Sequence, residues 1–246
     1  MQLKFHFPVN RSDSFNNFLL DKANSNAVSL CRAFANASEG QTSSIVLYGE
    51  SGSGKTHLLS AIGKVISEKL TERATLYLDA NALKEKIDSL KTYTQLKEYL
   101  EKYEHAAYLA IDNLDAICGI RKAEEQVFHL YNAVTQGGGR FAATLISPPA
   151  AWNFSLPDLS TRLLWGQVIE LRPVGDEKRG AVLIKTAKEM GMTLPQTAAE
   201  WLITRLPRDP ASQRETLVKI DQFSLTYKRK VSIQLIREAL EYGETG

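Results

Sequence analysis

A chain of 246 residues, 43% hydrophobic and 24% charged, is long enough to bury a core in one or two domains and has the composition of an ordinary globular protein. A net charge of +2 supplies no chain-wide field for nucleic acid, leaving only a local basic patch open. No apolar run approaches the roughly 20 residues that span a bilayer, and MQLKFHFPVN carries no long apolar signal core, so the expectation is a cytoplasmic protein without a membrane partner.

In chain order, the first element is Gln2-Leu3-Lys4-Phe5-His6-Phe7. Leu3, Phe5 and Phe7 alternate as in an edge strand, and equally as in an extended peptide that fills a groove on a partner. Five short apolar runs then alternate with helix-like stretches: Ser44–Tyr48, Ala74–Leu78, Ala106–Ile111, Phe141–Ile146 and Gly166–Leu171. Strands apolar on both faces, joined by crossovers long enough for a helix, suit a five-stranded parallel sheet with helices on both sides. Arg172-Pro173-Val174-Gly175 reads as a linker, after which every segment looks helical. Helices are expected over about Asp176–Met190 with Gly191 as C-cap, over Gln196–Leu206, from near Ser212 with Glu215 completing a capping box, and from Ser232 to near Tyr242. The division is a tail (1–12), an α/β domain (13–174) and a small all-helical domain (175–246). Cys31 and Cys118 sit among apolar neighbours and read as buried reduced thiols. His6, His57, His105 and His129 lack metal-ligand spacing.

Gly49-Glu50-Ser51-Gly52-Ser53-Gly54-Lys55-Thr56 fits G-x-x-x-x-G-K-[ST] without departure, between the strand IVLYG and the helix starting at His57. Glycines let the backbone turn several N–H groups inward as an anion nest, and the helix N-terminus adds partial positive charge. Lys55 is expected on the outer phosphates, and the Thr56 hydroxyl on Mg²⁺. Tyr108-Leu109-Ala110-Ile111-Asp112 is a buried strand ending in an acid, which makes Asp112 the second Mg²⁺ ligand. Asn113 follows, where many P-loop ATPases place Glu; its amide takes up no proton, so slow hydrolysis is expected. Asp115 is a nearby carboxylate at a different backbone position.

Together these residues resemble the DnaA family of bacterial replication initiators, within the AAA+ P-loop class, and most of all its Hda branch of regulators. Ser14-Phe15-Asn16-Asn17-Phe18 is similar to the F-x-x-F box ahead of the nucleotide site, which with His57 joins Phe18 to the expected nucleotide contacts. AIDNLDAICG (110–119) is similar to the Walker B stretch, VFHLYNAV (127–134) to the helix after it, and LPDLSTRLLWGQVIELRP (156–173) to the segment that carries an arginine finger. The resemblance implies Ser147, ending the fourth strand, as sensor 1 and Arg162 as an arginine finger acting in trans. It implies Arg214, in the first turn of the third lid helix, as sensor 2, with Arg208 as rival. It also implies that Gln2, Leu3, Phe5 and Phe7 form a motif for the DNA polymerase sliding clamp. The chain ends after the fourth lid helix, where initiators continue into a DNA-reading domain.

The function so implied is a regulator, holding ADP or ATP with Mg²⁺, that docks on the clamp and stimulates hydrolysis by DnaA, reaching DNA only through the clamp. A homodimer stays open. The competing expectation is a turning-over ATPase, such as a helicase loader, which the intact Lys55 and Thr56 keep in play.

Overall fold

The computed structural model describes residues 13–19, 21–38, 42–90, 92–207 and 210–242. The motif at Gln2–Phe7 and the rival residue Arg208 therefore lie outside the described residues. The chain divides into two compact units between Arg172 and Pro173.

In the first unit, strands β1 (Ser44–Tyr48), β2 (Thr75–Asp79), β3 (Tyr108–Asp112), β4 (Arg140–Leu145) and β5 (Gln167–Glu170) form one sheet of order β2-β3-β4-β1-β5. Every pairing is parallel. The period-2 geometry of a strand sorts its side chains between two cores. Leu109 and Ile111 of β3 face one, with Val46, Phe141, Ala143 and Leu145; Tyr108 and Ala110 face the other, with Ile45, Leu47 and Ala142. The first core is covered by α3 (Ala80–Ser89), α4 (Tyr93–Glu104), α5 (Arg121–Gln136) and α6 (Pro157–Trp165). The second is covered by α1 (Ser25–Asn36) and α2 (Lys55–Lys69). This is the expected α/β layering. In such sheets, ligands bind at the carboxyl ends of the strands, beside the point where strand order reverses. Here β1 sits between β4 and β5 and feeds directly into the glycine loop.

The strand limits differ from expectation by one or two residues. The fourth strand was expected to reach Ile146 but stops at Leu145, because the Ile146 N–H leaves the ladder to donate to Asp115 Oδ2 at 2.7 Å. Ser147 consequently lies two residues beyond β4, in a bend. Of the two thiols, only Cys31 is fully buried, which pushes it up to about 12; Cys118 is half-buried.

The second unit holds α7 (Asp176–Glu189), α8 (Gln196–Ile203), α9 (Pro210–Tyr227) and α10 (Ile233–Tyr242) around Leu183, Leu202, Leu217, Ile220, Leu235 and Ile236. Gly191 ends α7 at φ 84° with Met192 N–H returning to Ala187 O, as a left-handed glycine cap does. The Ser232 hydroxyl caps α10 by accepting from Leu235 N–H. The third lid helix starts at Pro210, not at Ser212: proline is suited to the first helical position, where its fixed φ is already helical. Arg214 thus lies past the first turn. No helix among the described residues is long and apolar enough to cross a membrane.

Candidate nucleotide site

Gly49 is the first constraint. Its φ is +147°, and a Cβ there would sit 1.9 Å from Leu171 O, at the end of the neighbouring β5. Only glycine lets β1 turn into the loop this close to an adjacent backbone. Gly52 and Gly54 continue with φ of 80° and 93°. The first intrahelical bond of α2 runs from Leu58 N to Gly54 O at 3.0 Å. The amides of Lys55, Thr56 and His57 therefore have no acceptor within the helix, and they open at the end where the helix dipole is positive.

Lys55 is 8% exposed, and its ammonium folds back onto the loop's own carbonyls, 2.5 Å from Gly49 O and 3.0 Å from Glu50 O. Burial lowers its pKa, while the charges of Asp112 and Asp115 pull the other way. Ser53 Oγ is buried with no hydrogen-bond partner.

Opposite the loop, Asp112 is 1% exposed and receives four donors. Thr56 Oγ1 (2.7 Å) and Tyr77 OH (2.9 Å) donate to Oδ2; Thr144 Oγ1 and Asn113 N (3.2 Å) donate to Oδ1. Tyr77 comes from the middle of β2 and Thr144 from next to the end of β4, so three adjacent strands contribute to one carboxylate site. Burial, then the Asp112 charge, raise the Tyr77 phenol well above its ordinary value and keep it a donor. No group of three or more His, Cys, Asp or Glu among the described residues could hold a metal alone. One carboxylate and one hydroxyl suit Mg²⁺, which takes few protein oxygens and completes its shell from phosphate and water. The orphaned Ser53 hydroxyl, the unpaired amides and this hard-oxygen pair fit a polyphosphate with a divalent cation.

Asn113 adopts the left-handed conformation, φ 59° and ψ 42°. That region costs most L-residues roughly 1–2 kcal/mol, and Asn tolerates it. Its amide donates to Asp79 Oδ2 at 2.7 Å, while Asp79 Oδ1 caps α3. With Asp115 bound to the Ile146 amide, each carboxylate flanking Asn113 already accepts a hydrogen bond.

A strand, glycine loop and helix, with an acid-tipped strand two positions away in the sheet, form the framework expected to hold a nucleoside polyphosphate, and comparison with known proteins identifies it further. Residues 9–170 match the model of the bacterial DnaA ATPase domain. The chain belongs to the bacterial DnaA ATPase domain family. Residues 176–240 match the lid domain of Hda. Among solved structures, domain III of the Thermotoga maritima replication initiation protein DnaA is similar at a TM-score of 0.80, with 23% identity over 96% of this chain and 98% of that one. AMPPCP-bound DnaA from Aquifex aeolicus is similar at 0.66, with 19% identity over 86% of this chain and 65% of that one. The Thermotoga maritima RuvB Holliday junction branch migration motor is similar at 0.60, with 16% identity over 94% and 72%. These likenesses establish the fold as that of a DnaA-type AAA+ domain.

Other expected residues of this DnaA-type domain fall as follows. Phe18 reaches the loop: a Cβ on Gly54 would lie 2.6 Å from its ring. The His57 side chain points away from the cradle, with Nδ1 3.1 Å from Asp13 Oδ1, Nε2 2.9 Å from Ser14 O and its ring edge on Phe18. Only the His57 amide is therefore available to a phosphate. Glu50 and Ser51 are exposed on the rim. Ser147 uses its carbonyl to accept from Trp152 Nε1 at 2.9 Å. Arg214 is exposed on α9, in the other unit.

Arg162 occupies the last turn of α6, where a cation also suits the helix dipole. Its guanidinium lies 4.2 Å from the Trp165 ring centroid and 5.9 Å from that of Phe128. It forms no ion pair among the described residues.

Sequence reasoning missed Tyr77, in the middle of β2, and Thr144 and Asp79, which lie next to or at the carboxyl ends of β4 and β2, both neighbours of β3. It also missed Glu124, fully buried on α5. Its Oε1 accepts from Gly119 N (2.6 Å) and Ser155 N (3.1 Å), and its Oε2 from Leu156 N (2.7 Å). Glu124 ties the loop after Asp112 to the start of α6, the helix that ends near Arg162.

Proposed function

We propose that this chain is a nucleotide-bound regulator of bacterial replication initiation that presents Arg162 to the ATP of a DnaA molecule and stimulates its hydrolysis. The observation that carries the reading is the state of Arg162, a cation at the end of a helix that rests on aromatic rings and forms no ion pair among the described residues. A guanidinium kept this way can neutralise charge that develops on a phosphate supplied in trans.

In the chain's own site, Lys55, which rests on the Gly49 and Glu50 carbonyls, would turn its ammonium to the outer phosphate oxygens of ADP or ATP. The amides of Lys55, Thr56 and His57 would donate to the inner ones. Thr56 and Asp112 would hold Mg²⁺, which would supply neutralisation of phosphate charge. Tyr77 and Thr144 fix the direction in which Asp112 offers its oxygens. Asn113 has no basic group to take a proton from water, so the chain's own turnover is slow. Bound nucleotide acts through linkage, stabilising the binding-competent fold. Ser147 and Arg214 are the proposed sensor 1 and sensor 2 residues, and Gln2, Leu3, Phe5 and Phe7 the proposed contact with the sliding clamp.

A second reading, a turning-over ATPase such as a helicase loader, is favoured by the intact set of Lys55, Thr56 and Asp112. Two assays separate them. ATP-bound DnaA is mixed with DNA-loaded clamp and this chain. DnaA hydrolysis rises, and the rise disappears with Arg162→Ala and with Gln2→Ala plus Phe7→Ala. No rise, or a rise that survives Arg162→Ala, contradicts the regulator. Rapid steady-state hydrolysis by the isolated chain favours the second reading.

A further inference from the structure

A basic turn joins the last two helices of the second unit. Lys228-Arg229-Lys230 is the only run of three consecutive Lys or Arg in the chain, and the stretch 222–237 holds Lys228, Arg229, Lys230 and Arg237 without a single Asp or Glu. A charge run by itself is a solvated face and needs no particular backbone. The backbone here is particular. At the end of α9, Lys228 N–H donates to Leu225 O at 3.3 Å and Arg229 N–H to Ser224 O at 3.1 Å, while Ser224 Oγ donates to Arg229 O at 2.6 Å. This is a Schellman closure, and it sets Lys228 at φ +51°. Helix α7 stops with Gly191 in the same left-handed region, which glycine adopts freely. Lysine is sterically disfavoured there, and the position holds a cation nonetheless.

The three cations of the turn are not equivalent. Arg229 is locked onto Glu238 of α10, Nη1 to Oε2 at 2.5 Å and Nη2 to Oε1 at 3.3 Å, which braces the turn against the next helix. Lys228 and Lys230 form no ion pair among the described residues. All six residues from Leu225 to Lys230 are exposed, Leu225 at 68% and Tyr227 at 48%. The Tyr227 ring leans on Phe223, with 4.4 Å between centroids, so it is supported while much of its surface stays open.

We propose that this turn contacts the phosphate backbone of duplex DNA, with Lys228 and Lys230 on phosphate oxygens and Tyr227 as a hydroxyl donor beside them. Backbone phosphates are contacted by such side chains, without reading sequence. The composition of the turn selects among anions. An acidic peptide is best met by the bidentate fork of an arginine, and Arg229 is already engaged by Glu238. An anionic bilayer is recognised by clusters of roughly 4–8 Lys or Arg, more than two unpaired lysines supply. The inference goes beyond the regulator reading, in which DNA is reached through the clamp, and does not depend on it.

The test uses the full chain with neither clamp nor DnaA present. Anisotropy of a labelled duplex oligonucleotide of mixed sequence is titrated across a salt series. Wild type binds, and log affinity falls linearly with log salt. Lys228→Gly removes a cation and gives the left-handed position the residue that suits it. Affinity at low salt therefore drops about threefold or more, while the melting temperature is equal or higher. Lys230→Gln lowers affinity similarly, and the double variant reduces the salt slope by about 2. Lys122→Gln, which makes the same change in net charge at an exposed position of α5, leaves affinity and slope as in wild type. No duplex binding by wild type at low salt, or a double variant whose titration superimposes on wild type, overturns the proposal. An equal loss in Lys122→Gln also overturns it, because the effect is then one of overall charge. If the double variant does not melt cooperatively, the two single variants carry the comparison. Phosphatidylserine vesicles form the last arm: variants that lose vesicle binding and keep duplex binding assign the turn to a lipid surface and overturn the proposal.

Discussion

Replacing Glu124 tests whether the α6 segment is held as the geometry implies. Three backbone amides converge on this carboxylate, and the bond from Leu156 N is fully buried, whereas those from Gly119 N and Ser155 N are partly so. Stranding a buried amide costs about 1–3 kcal/mol, and a partly exposed one recovers some of that from water. Glu124→Ala is therefore expected to lose about 2–5 kcal/mol, a large share of the roughly 5–15 kcal/mol typical of a domain. Glu124→Gln keeps one acceptor and turns an NH₂ toward another donor, so it loses about 1–3 kcal/mol. Urea unfolding is followed by tryptophan emission in a Trp201→Phe background, leaving Trp152 and Trp165 of the first unit as reporters; the two-unit architecture makes a single global transition unsafe to assume. Hydrogen exchange at Leu156 N is expected to accelerate before exchange in β3 does. Because Leu156 precedes the helix bearing Arg162, the proposed stimulation of DnaA is expected to fall more steeply than the proposed nucleotide binding. Both variants within about 0.5 kcal/mol of wild type, with unchanged exchange at Leu156, would refute the reasoning.

Three further perturbations act on the site itself. Gly49→Ala puts a methyl 1.9 Å from Leu171 O at a φ of +147°; a loss of about 3 kcal/mol or more is expected by thermal melting, and an unchanged melting temperature contradicts the close approach. Tyr77→Phe removes one donor from Asp112 while three remain, so the Mg²⁺ concentration for half-maximal nucleotide binding is expected to rise about tenfold by titration. An unchanged Mg²⁺ requirement assigns Tyr77 to packing. Burial lowers Lys55 below its ordinary 10.5. Nucleotide binding needs the ammonium, so affinity for Mg²⁺-ADP, measured by calorimetry, is expected to fall as pH rises through that lowered value, and the fall is absent in Lys55→Arg. The free protein's stability moves oppositely in the window between the lowered value and 10.5: the unfolded chain still holds the proton, so this lysine's contribution favours folding as pH rises.

The sheet and the glycine loop were legible because local and global signals agree there. Each strand is a short apolar run, and the loop's glycines carry positive φ that other residues adopt poorly. Strand ends were less legible because side-chain acceptors decide them: the Asp115 carboxylate takes the Ile146 amide and ends β4 early, which no periodicity records. The start of α9 was misread because Ser212 and Glu215 imitate a capping box, while Pro210 begins the helix two residues earlier. Within the site, Lys55, Thr56 and Asp112 followed from spacing. Tyr77, Thr144 and Asp79 did not, because they meet Asp112 and Asn113 only through the lateral order of the strands. His57 was placed at the nucleotide by its neighbours in sequence, whereas the fold turns its ring to Asp13 and Ser14. The exposed Trp165 was invisible as a surface feature, since an indole in an amphipathic helix normally reads as core.

The central claim is that the loop from Gly49 to Thr56 captures the phosphates of an adenine nucleotide. Isothermal titration of the full chain with Mg²⁺-ADP and Mg²⁺-ATP tests it most directly, run beside Lys55→Ala. Saturable binding by the wild type, weakened at least tenfold (about 1.4 kcal/mol) in a variant that still melts cooperatively, is the expected result. No heat with either nucleotide, or equal affinity in Lys55→Ala, would contradict it.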